Sequence, residues 1–382
     1  MDNDAITKVP TLRSGYFVFS RKYNSSDIDP LIYCARLLYE TVIAIPVLPQ
    51  WSTRFEEEII RQSIFGTAAL EGNPLKKEEV DKIIHEDPKS KKADRAEQEI
   101  RNLKAVYKFI SEQAPASSPV ELTEKFIKET HRIITADITY AANVPGNYRP
   151  HEVKVGDKDH GGVYTPPKCL PDIETLMVKF IGWINSEPVK TLDPILRGAL
   201  AHYHLGLIHP FGDGNGRVAR IVEAFMLRLS NIKYVPTMLS NYYYRKMDAY
   251  YWAFSLARKN KGNDVTPFLK FVLEGVIDSL NEIKGGVTHD LQLLLMRDYT
   301  AHLKEKKMVS QRQCDLIEML TSNRLPITLQ DLLTVTPFNA LYRNVSERTA
   351  RRDLQKLADK CIGVLKLEND KFHLNYELFK QI

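Results

Sequence analysis

The sequence predicts a mainly α-helical protein with a few small β-hairpins, and three observations support this prediction. Apolar residues recur at the helical spacing i, i+3, i+4, i+7 in the stretch 216–230. A helix-start signal, Asp193 followed by Pro194, precedes the stretch 194–208. Strand-like alternation is confined to two short stretches, 153–167 and 362–378. Helices are therefore expected to form most of the fold.

Length and composition predict two or three folded units. The chain has 382 residues, of which 43% are hydrophobic and 26% charged, as expected of a globular protein. We predict an N-terminal helical region (1–114), a helical core (115–284) and a small C-terminal domain (308–382). The net charge of +5 is mild for this length, so it provides no whole-protein argument for nucleic-acid binding.

Cysteine usage and the N-terminus indicate a cytoplasmic protein. The four cysteines are far apart in sequence and include no CxxC pair, which argues against a zinc ribbon or a disulfide framework. The first ten residues are polar and acidic, unlike a signal peptide. The most apolar stretch is about half the length of a membrane-spanning helix. We therefore expect no membrane association.

An early helix is predicted at about 53–72. Thr53 and Glu56 have capping-box spacing, an apolar stripe follows, and Gly72 is typical of a helix end. Glu71 is unusual at this end, because a carboxylate there opposes the helix dipole.

Two β-hairpins are predicted. In 153–167, Val153 and Val155 alternate with polar residues before a turn rich in glycine and aspartate. Near the C-terminus, two predicted helices precede two strands around Asn369-Asp370, which is a winged-helix pattern. The second helix carries basic residues suited to phosphate: Arg348, Arg351, Arg352 and Lys356. Residues 310–382 hold eleven basic and nine acidic side chains, so DNA binding, substrate docking and dimerisation all stay open.

The most specific stretch is the loop 209–217, HPFGDGNGR, between two predicted helices. The glycines permit left-handed backbone angles, and the N-terminus of the following helix presents N–H groups to an anion. Arg217 and Arg220 add two cationic forks suited to phosphate. Asp213 fits so positive a place if Mg²⁺ joins it to the phosphates.

Other interpretations of the loop are weaker. A Walker A loop would need a Lys-Ser/Thr end, and an EF-hand starting at Asp213 would need acidic or amide ligands where Arg217 and Ala224 stand. A metal site of His202, His204 and His209 is disfavoured, since His202 and His204 are two apart on a helix. A plain helix–helix turn would not need His, Asp, Asn and two Arg at fixed offsets.

Residues 209–220, HPFGDGNGRVAR, resemble the Fic-domain signature His-x-Phe-x-Asp/Glu-Gly-Asn-Gly-Arg-x-x-Arg at every specified position. The resemblance implies a Fic-type helical core that transfers AMP from ATP to a protein hydroxyl. It implies that His209 is the general base, that Asp213 holds Mg²⁺ and that Phe211 anchors the loop. The implied nucleotide-binding residues are Gly212, Asp213, Gly214, Asn215, Gly216, Arg217 and Arg220.

The resemblance also assigns three flanking regions. The hairpin 153–167 is similar to the family's flap, on which an extended target segment docks, with Val163, Tyr164 and Thr165 as candidates. Tyr250 and Tyr251 match a Tyr-Tyr pair expected at the adenine pocket. Thr67, Glu71 and Gly72 resemble the Ser/Thr-x-x-x-Glu-Gly/Asn motif of the autoinhibited class. This implies that Glu71 pairs with Arg220 where the γ-phosphate of ATP would lie.

The leading hypothesis is an autoinhibited protein adenylyltransferase with Mg²⁺ as cofactor and ATP as co-substrate. Removal of AMP from the same target, transfer of another phosphate group, and a nucleotide-sensing transcriptional regulator are the alternatives. Auto-modification and a homodimer fit the leading hypothesis. The target protein is not readable from the sequence, because a flap would recognise mostly backbone.

Overall fold

The structure is a computed structural model that describes residues 5–86, 94–112, 121–139, 143–323 and 325–379. The chain divides into two compact units, residues 1–282 and 283–382. The domain boundaries predicted from the sequence stay predictions, and the one at 114 lies outside the described residues. The mainly α-helical prediction is confirmed, with two small antiparallel hairpins.

The first unit opens with a hairpin that the sequence analysis did not predict. Strands β1 (Ile6–Pro10) and β2 (Tyr16–Ser20) pair antiparallel, with Ile6 opposite Ser20. Phe19 lies fully buried against Trp183 and His204, which fixes the hairpin on the helices. Within the described ranges up to residue 259, eleven helices follow: α1 (Ser25–Ile43), α2 (Pro49–Leu70), α3 (Lys77–His85), α4 (Arg95–Glu112), α5 (Glu124–Ile134), α6 (Leu170–Ile184), α7 (Glu187–Lys190), α8 (Pro194–Ile208), α9 (Asn215–Leu229), α10 (Val235–Arg245) and α11 (Met247–Lys259).

Helix α2 begins four residues before the predicted start. Pro49 occupies its first turn, where a missing N–H costs nothing. Thr53 therefore lies inside the helix, where its hydroxyl donates to the Pro49 carbonyl, and the predicted capping box is wrong. The helix ends at Leu70, Glu71 is its C-cap, and Gly72 follows with φ of 80°. A Cβ on Gly66 would lie 2.9 Å from the backbone of Ser240 and Asn241, so α2 packs closely on α10.

The predicted hairpin at 153–167 is reduced to a single bridge between Val155 and Tyr164, whose N···O distances are 3.0 and 2.9 Å. Gly156, Gly161 and Gly162 have φ of 95°, 89° and 83°, so the backbone leaves the extended region on both sides of the turn. The two-strand prediction is therefore wrong for this segment, which is a looped excursion closed by one bridge.

Helix α12 (Thr266–Glu305) continues through Gly285-Gly286, beyond residue 284, where the predicted core ends. The second unit contains α13 (Gln311–Asn323), α14 (Leu329–Thr334), α15 (Phe338–Tyr342) and α16 (Glu347–Ala358). Its hairpin pairs β3 (Leu365–Glu368) with β4 (Lys371–Leu374). Asn369 and Asp370 both have positive φ, 48° and 60°, as a two-residue hairpin turn requires, so this predicted hairpin is confirmed. A separate apolar core includes Leu316, Leu332, Leu354 and Leu357.

Candidate functional site

The loop between α8 and α9 is fixed at both ends by left-handed residues. His209 caps α8 with φ of 50°, and Gly214 caps α9 with φ of 76°. Between them the Phe211 side chain is fully buried, and the Asn215 amide accepts from the Phe211 N–H and donates to the Phe211 carbonyl, both at 2.9 Å. The Asn215 side chain therefore closes the loop. Because the Asn215 side chain is used in this way, only the Asn215 backbone is available to a phosphate. This is a narrower form of the nucleotide-binding role expected for Asn215 from the sequence.

His131 of α5 supports the loop from below, and the sequence analysis missed it. Its ring stacks on Phe211 with centroids 3.8 Å apart. Nδ1 accepts from the Gly146 N–H at 2.9 Å, so Nε2 carries the proton and donates to the Asp213 carbonyl at 3.1 Å. Burial lowers the pKa of His131 to about 4, which keeps the ring neutral in this role. A histidine on the apolar stripe of a helix was the available signal.

Arg149 joins the loop to the base of the flap, and it was also missed. Its guanidinium donates to the His209 carbonyl from Nε and to the Pro167 carbonyl from Nη2, both at 2.8 Å. Its own N–H donates to the Pro210 carbonyl at 2.9 Å. The side chain is 1% exposed, and burial lowers its pKa to about 10. The carbonyl of the predicted base is thus held by a buried cation.

His209 lines a cavity of about 340 Å³. Nδ1 lies 3.4 Å from the Gly206 carbonyl, a long hydrogen bond that favours the proton on Nδ1 and leaves the Nε2 lone pair open. Burial, with a smaller effect of Arg149, lowers the pKa of His209 to about 4. A general base works best with a pKa near the operating pH. The partly buried imidazole is instead uncharged at pH 7, ready to accept a proton but only weakly basic.

The two arginines of the motif turn to different partners. Arg217 Nη2 lies 3.1 Å from Asp213 Oδ1, and its Nη1 lies 3.7 Å from Glu99. Arg220 Nη2 lies 2.7 Å from Glu71 Oε1 and 3.3 Å from the Thr67 carbonyl. Within the described part of the chain, the motif residues in the cavity wall are His209, Gly216 and Arg220. Gly212, Asp213, Gly214, Asn215 and Arg217 lie outside that wall.

Glu71 reaches this wall from the end of α2. Burial raises the pKa of its carboxyl, but the Arg220 and Arg217 guanidiniums outweigh burial and leave the pKa below its usual range. The carboxylate is therefore charged at neutral pH and paired with Arg220. A Cβ on Gly216 would collide with Glu71 Oε1 and would lie 3.1 Å from Arg220 Nη1. Gly216, in the first turn of α9, is therefore in close contact with both the Glu71 carboxylate and the Arg220 guanidinium. Thr67 lies one turn earlier on α2, fully buried.

Tyr250 and Tyr251 of α11 both line the cavity but differ in their surroundings. The Tyr251 hydroxyl donates to the Leu70 carbonyl at 3.2 Å, on the same helix end that carries Glu71. Tyr250 is 4% exposed, stacks on Tyr243 and has its hydroxyl 2.9 Å from His202 Nε2. Tyr251 is the more accessible wall for an adenine ring.

The flap candidates point in two directions. Tyr164 turns inward: its hydroxyl donates to the Gly206 carbonyl at 3.1 Å, and the Arg258 guanidinium lies 4.8 Å from its ring centroid. Val163 and Thr165 are exposed. Because Val155 and Tyr164 form the hydrogen-bonded pair, the backbone groups of Val163 and Thr165 point away from Val155. The outer edge of this short segment can pair with another extended chain.

No group of three or more His, Cys, Asp or Glu side chains that could hold a metal by itself occurs among the described residues. Asp213 Oδ1 is occupied by the Gly214 N–H at 2.7 Å and by Arg217. Its Oδ2 lies 3.5 Å from Arg95, and its side chain is 26% exposed. One partly open carboxylate fits Mg²⁺ that is bound mainly through a nucleotide's phosphates.

Residues 121–227 match the model of the Fic/DOC family. The protein adenylyltransferase Fic of Drosophila erecta is 31% identical over 225 residues, which are 58% of this chain and 41% of that protein. The Drosophila virilis protein of the same name is 30% identical over 257 residues, 65% of this chain and 48% of that protein. The chain therefore spans less than half the length of these curated relatives.

Solved structures show a similar fold. A Fic family protein from Desulfovibrio desulfuricans has a TM-score of 0.56 at 19% identity, covering 91% of this chain and 96% of that one. Fic-1 from C. elegans has a TM-score of 0.55 at 22% identity, covering 69% and 74%. None of the helices in the described ranges combines the length and apolar character needed to cross a bilayer.

Proposed function

We propose, from the match of residues 121–227 to the Fic/DOC family model, that the chain is a protein adenylyltransferase. It would transfer AMP from ATP to a Ser, Thr or Tyr hydroxyl of a target protein. The observation that carries the proposal is the cavity in which neutral His209 shares a wall with Arg220 and with Gly216 in the first turn of α9. A base, a cation and helix N–H groups around one space suit phosphoryl-type transfer.

In this reaction the target's hydroxyl oxygen attacks the α-phosphorus of ATP, and His209 Nε2 accepts the hydroxyl proton. The new O–P bond forms as the bond from the α-phosphorus to the bridging oxygen breaks, and pyrophosphate leaves. Arg149 holds the His209 carbonyl and so keeps the imidazole in place. The first N–H groups of α9 have no partner within the helix and are available to phosphate oxygens.

Mg²⁺ would bind at Asp213 together with the phosphates and neutralise part of their charge. Arg217 keeps the Asp213 carboxylate oriented from 3.1 Å. Arg220, the cation of the cavity wall, would bind the outer phosphates.

Autoinhibition is part of the proposal. Glu71 Oε1 lies 2.7 Å from Nη2 of Arg220, so the outer phosphates of ATP would compete with the Glu71 carboxylate for this guanidinium. Like charges repel, and the guanidinium itself is enclosed: the Arg220 side chain is 2% exposed, whereas that of Glu71 is 27% exposed. ATP would therefore bind in a non-productive pose until α2 withdraws Glu71.

The target would add an extended segment to the outer edge of the flap at Val163 and Thr165. Main-chain hydrogen bonds supply the affinity in this mode of binding, so many sequences would be accepted. The hydroxyl to be modified would then enter the cavity beside Tyr164 and His209, both of which line it.

The decisive experiment incubates purified variants with ATP labelled at the α-phosphate. Glu71→Gly is expected to raise auto-modification or target labelling by at least about tenfold, the worth of one charged hydrogen bond. Glu58→Ala is the matched control, because Glu58 lies on the same helix but pairs with Arg61. Glu71→Gly combined with His209→Ala should lose the label.

Each other labelling pattern contradicts the proposal. Label transferred only from the γ-phosphate of ATP would indicate a kinase, and no transfer from Glu71→Gly under any condition would rule out adenylylation. Removal of AMP from a modified target by the unaltered chain, lost in Glu71→Gly, would instead assign the reverse reaction to Glu71.

For the second unit we propose a winged helix that binds DNA through α16. Arg348, Arg351, Arg352 and Lys356 are all exposed on this helix, beside the hairpin of β3 and β4. Reversing the charge of Arg348 and Arg352 together should abolish retention of duplex DNA in a gel-shift assay at low salt, if the proposal is correct. Equal retention of DNA by the unaltered chain and by the double variant would contradict DNA binding through α16.

A further inference from the structure

A chain of buried polar side chains lies behind the cavity wall. Glu223 of α9 has Oε2 at 2.8 Å from Nδ1 of His202, and Nε2 of the same ring lies 2.9 Å from the Tyr250 hydroxyl. The three residues are 1%, 0% and 4% exposed. Polar groups this deep are costly unless their hydrogen bonds are satisfied, so their relative positions are strongly specified.

The directions of these hydrogen bonds follow from the partners. The Glu223 carboxylate accepts from the Tyr243 hydroxyl at 3.0 and 3.1 Å and from Nδ1–H of His202. With Nδ1 donating to Glu223, Nε2 of the His202 ring accepts the Tyr250 hydroxyl proton. The Tyr250 oxygen consequently keeps its own lone pairs for a donor on the cavity side.

Arg220, whose guanidinium can only donate, shares the cavity wall with Tyr250. The Tyr250 hydroxyl is in polar contact with the Arg220 guanidinium, in the same wall of the cavity. Two other anchors of this guanidinium, the Glu71 carboxylate and the Thr67 carbonyl, both belong to the end of α2. If α2 withdraws, those two contacts are lost together, whereas Tyr250 stays with α11.

We propose that Tyr250 is a positioning residue, which Glu223 and His202 hold so that its oxygen keeps Arg220 directed into the cavity after Glu71 has left. The proposal rests on the function proposed above, in which Arg220 binds the outer phosphates of ATP. An arginine without an anchor would lose side-chain entropy on binding, and a pre-positioned one avoids that cost.

The test uses the full chain in the Glu71→Gly background and measures binding of ATP and of AMP by calorimetry. Tyr250→Phe removes only the hydroxyl and keeps the ring in the wall. It is expected to weaken ATP about tenfold, the loss of one hydrogen bond to a charged group, and to leave AMP within about twofold. AMP has no outer phosphates, so a general structural defect would weaken both ligands.

The matched control is Tyr242→Phe, which removes a hydroxyl from a buried ring that packs on Tyr243 and Phe271. It should change neither affinity. His202→Phe should reproduce the loss for ATP, and the double variant with Tyr250→Phe should lose no more than either single one, because both break the same chain. His202→Phe also keeps the test decisive if Tyr250→Phe does not fold.

Two results would overturn the proposal. Equal weakening of ATP and AMP by Tyr250→Phe would show that this hydroxyl does not act through the outer phosphates. Unchanged ATP affinity in both Tyr250→Phe and His202→Phe would show that Arg220 needs no such support. Because the readout is binding, it is distinguishable from a failure of the adenylyltransferase proposal, which would appear as absent transfer with ATP binding intact.

Discussion

The loop 209–216 and the flap 155–164 border the same cavity and are held in opposite ways. The loop is fixed by buried groups: the Asn215 amide, the His131 ring and the Arg149 guanidinium. The flap is closed by one β-bridge and by His160, whose ring lies 2.9 Å from Asp157 and 3.2 Å from Asp248, both exposed. The difference suits their proposed roles, since phosphates need a fixed geometry whereas a target chain needs an adaptable edge.

The largest effect should come from Arg149, which connects the two regions. Arg149→Met is expected to lower the free energy of unfolding by about 4 kcal/mol, because several buried carbonyls lose their donor at about 1–3 kcal/mol each. Urea unfolding followed by tryptophan fluorescence measures the first unit, where all three tryptophans lie. Arg132→Met, which removes a surface pair with Glu129, should cost less than about 1 kcal/mol. Similar losses in the two variants would refute the assigned link.

Asn215→Ala tests the loop alone. It orphans the buried N–H and carbonyl of Phe211, so a loss of about 3 kcal/mol in the free energy of unfolding is expected. Asn147→Ala is the control, because that amide is exposed and donates only to the Pro145 carbonyl. If Asn215→Ala leaves stability unchanged but weakens ATP, the amide binds phosphate, as the sequence analysis expected.

Acid should weaken the loop. Burial depresses the pKa of His131 to about 4, so the unfolded chain binds more protons than the folded one between about pH 6.5 and 4. His131 should contribute about 2 kcal/mol to the fall in the free energy of unfolding from pH 7 to pH 5, and His131→Asn should reduce the fall by about that amount. His85→Gln, at an exposed histidine, should leave the pH dependence as it was. An unaltered slope in His131→Asn would contradict this account.

The smallest effect should be seen in the flap, with the opposite sign. Hydrogen bonding to Asp157 raises the pKa of His160, and Asp248 adds to it. The stabilisation is complete below the ordinary histidine pKa and is lost as pH rises through the raised value. Hydrogen exchange at 157–163, corrected for intrinsic rates, should therefore accelerate from pH 6 to pH 8. His160→Gln should remove this dependence, and a dependence retained in His160→Gln would refute it.

The loop was far more predictable from sequence than the flap, for a physical reason. Gly214 and the arginines of α9 act through local geometry and charge, which residue type and spacing convey. The contacts of Arg149 and His131 join residues 60 to 82 positions apart, and no periodicity announces them. The hairpin prediction for the flap was wrong. The alternation at Val153 and Val155 is typical of a strand, but three glycines at positive φ turn the backbone out of the extended region.

Gly216 has a consequence for how this protein could be altered. Its missing Cβ leaves room both for the Glu71 carboxylate and for any phosphate drawn to the first turn of α9. A methyl group there would displace the Glu71 carboxylate and would also crowd a phosphate bound at this turn. If the proposed function is correct, a substitution at position 216 would change inhibition by Glu71 and binding of the nucleotide together. A substitution at Glu71 would change the inhibition alone.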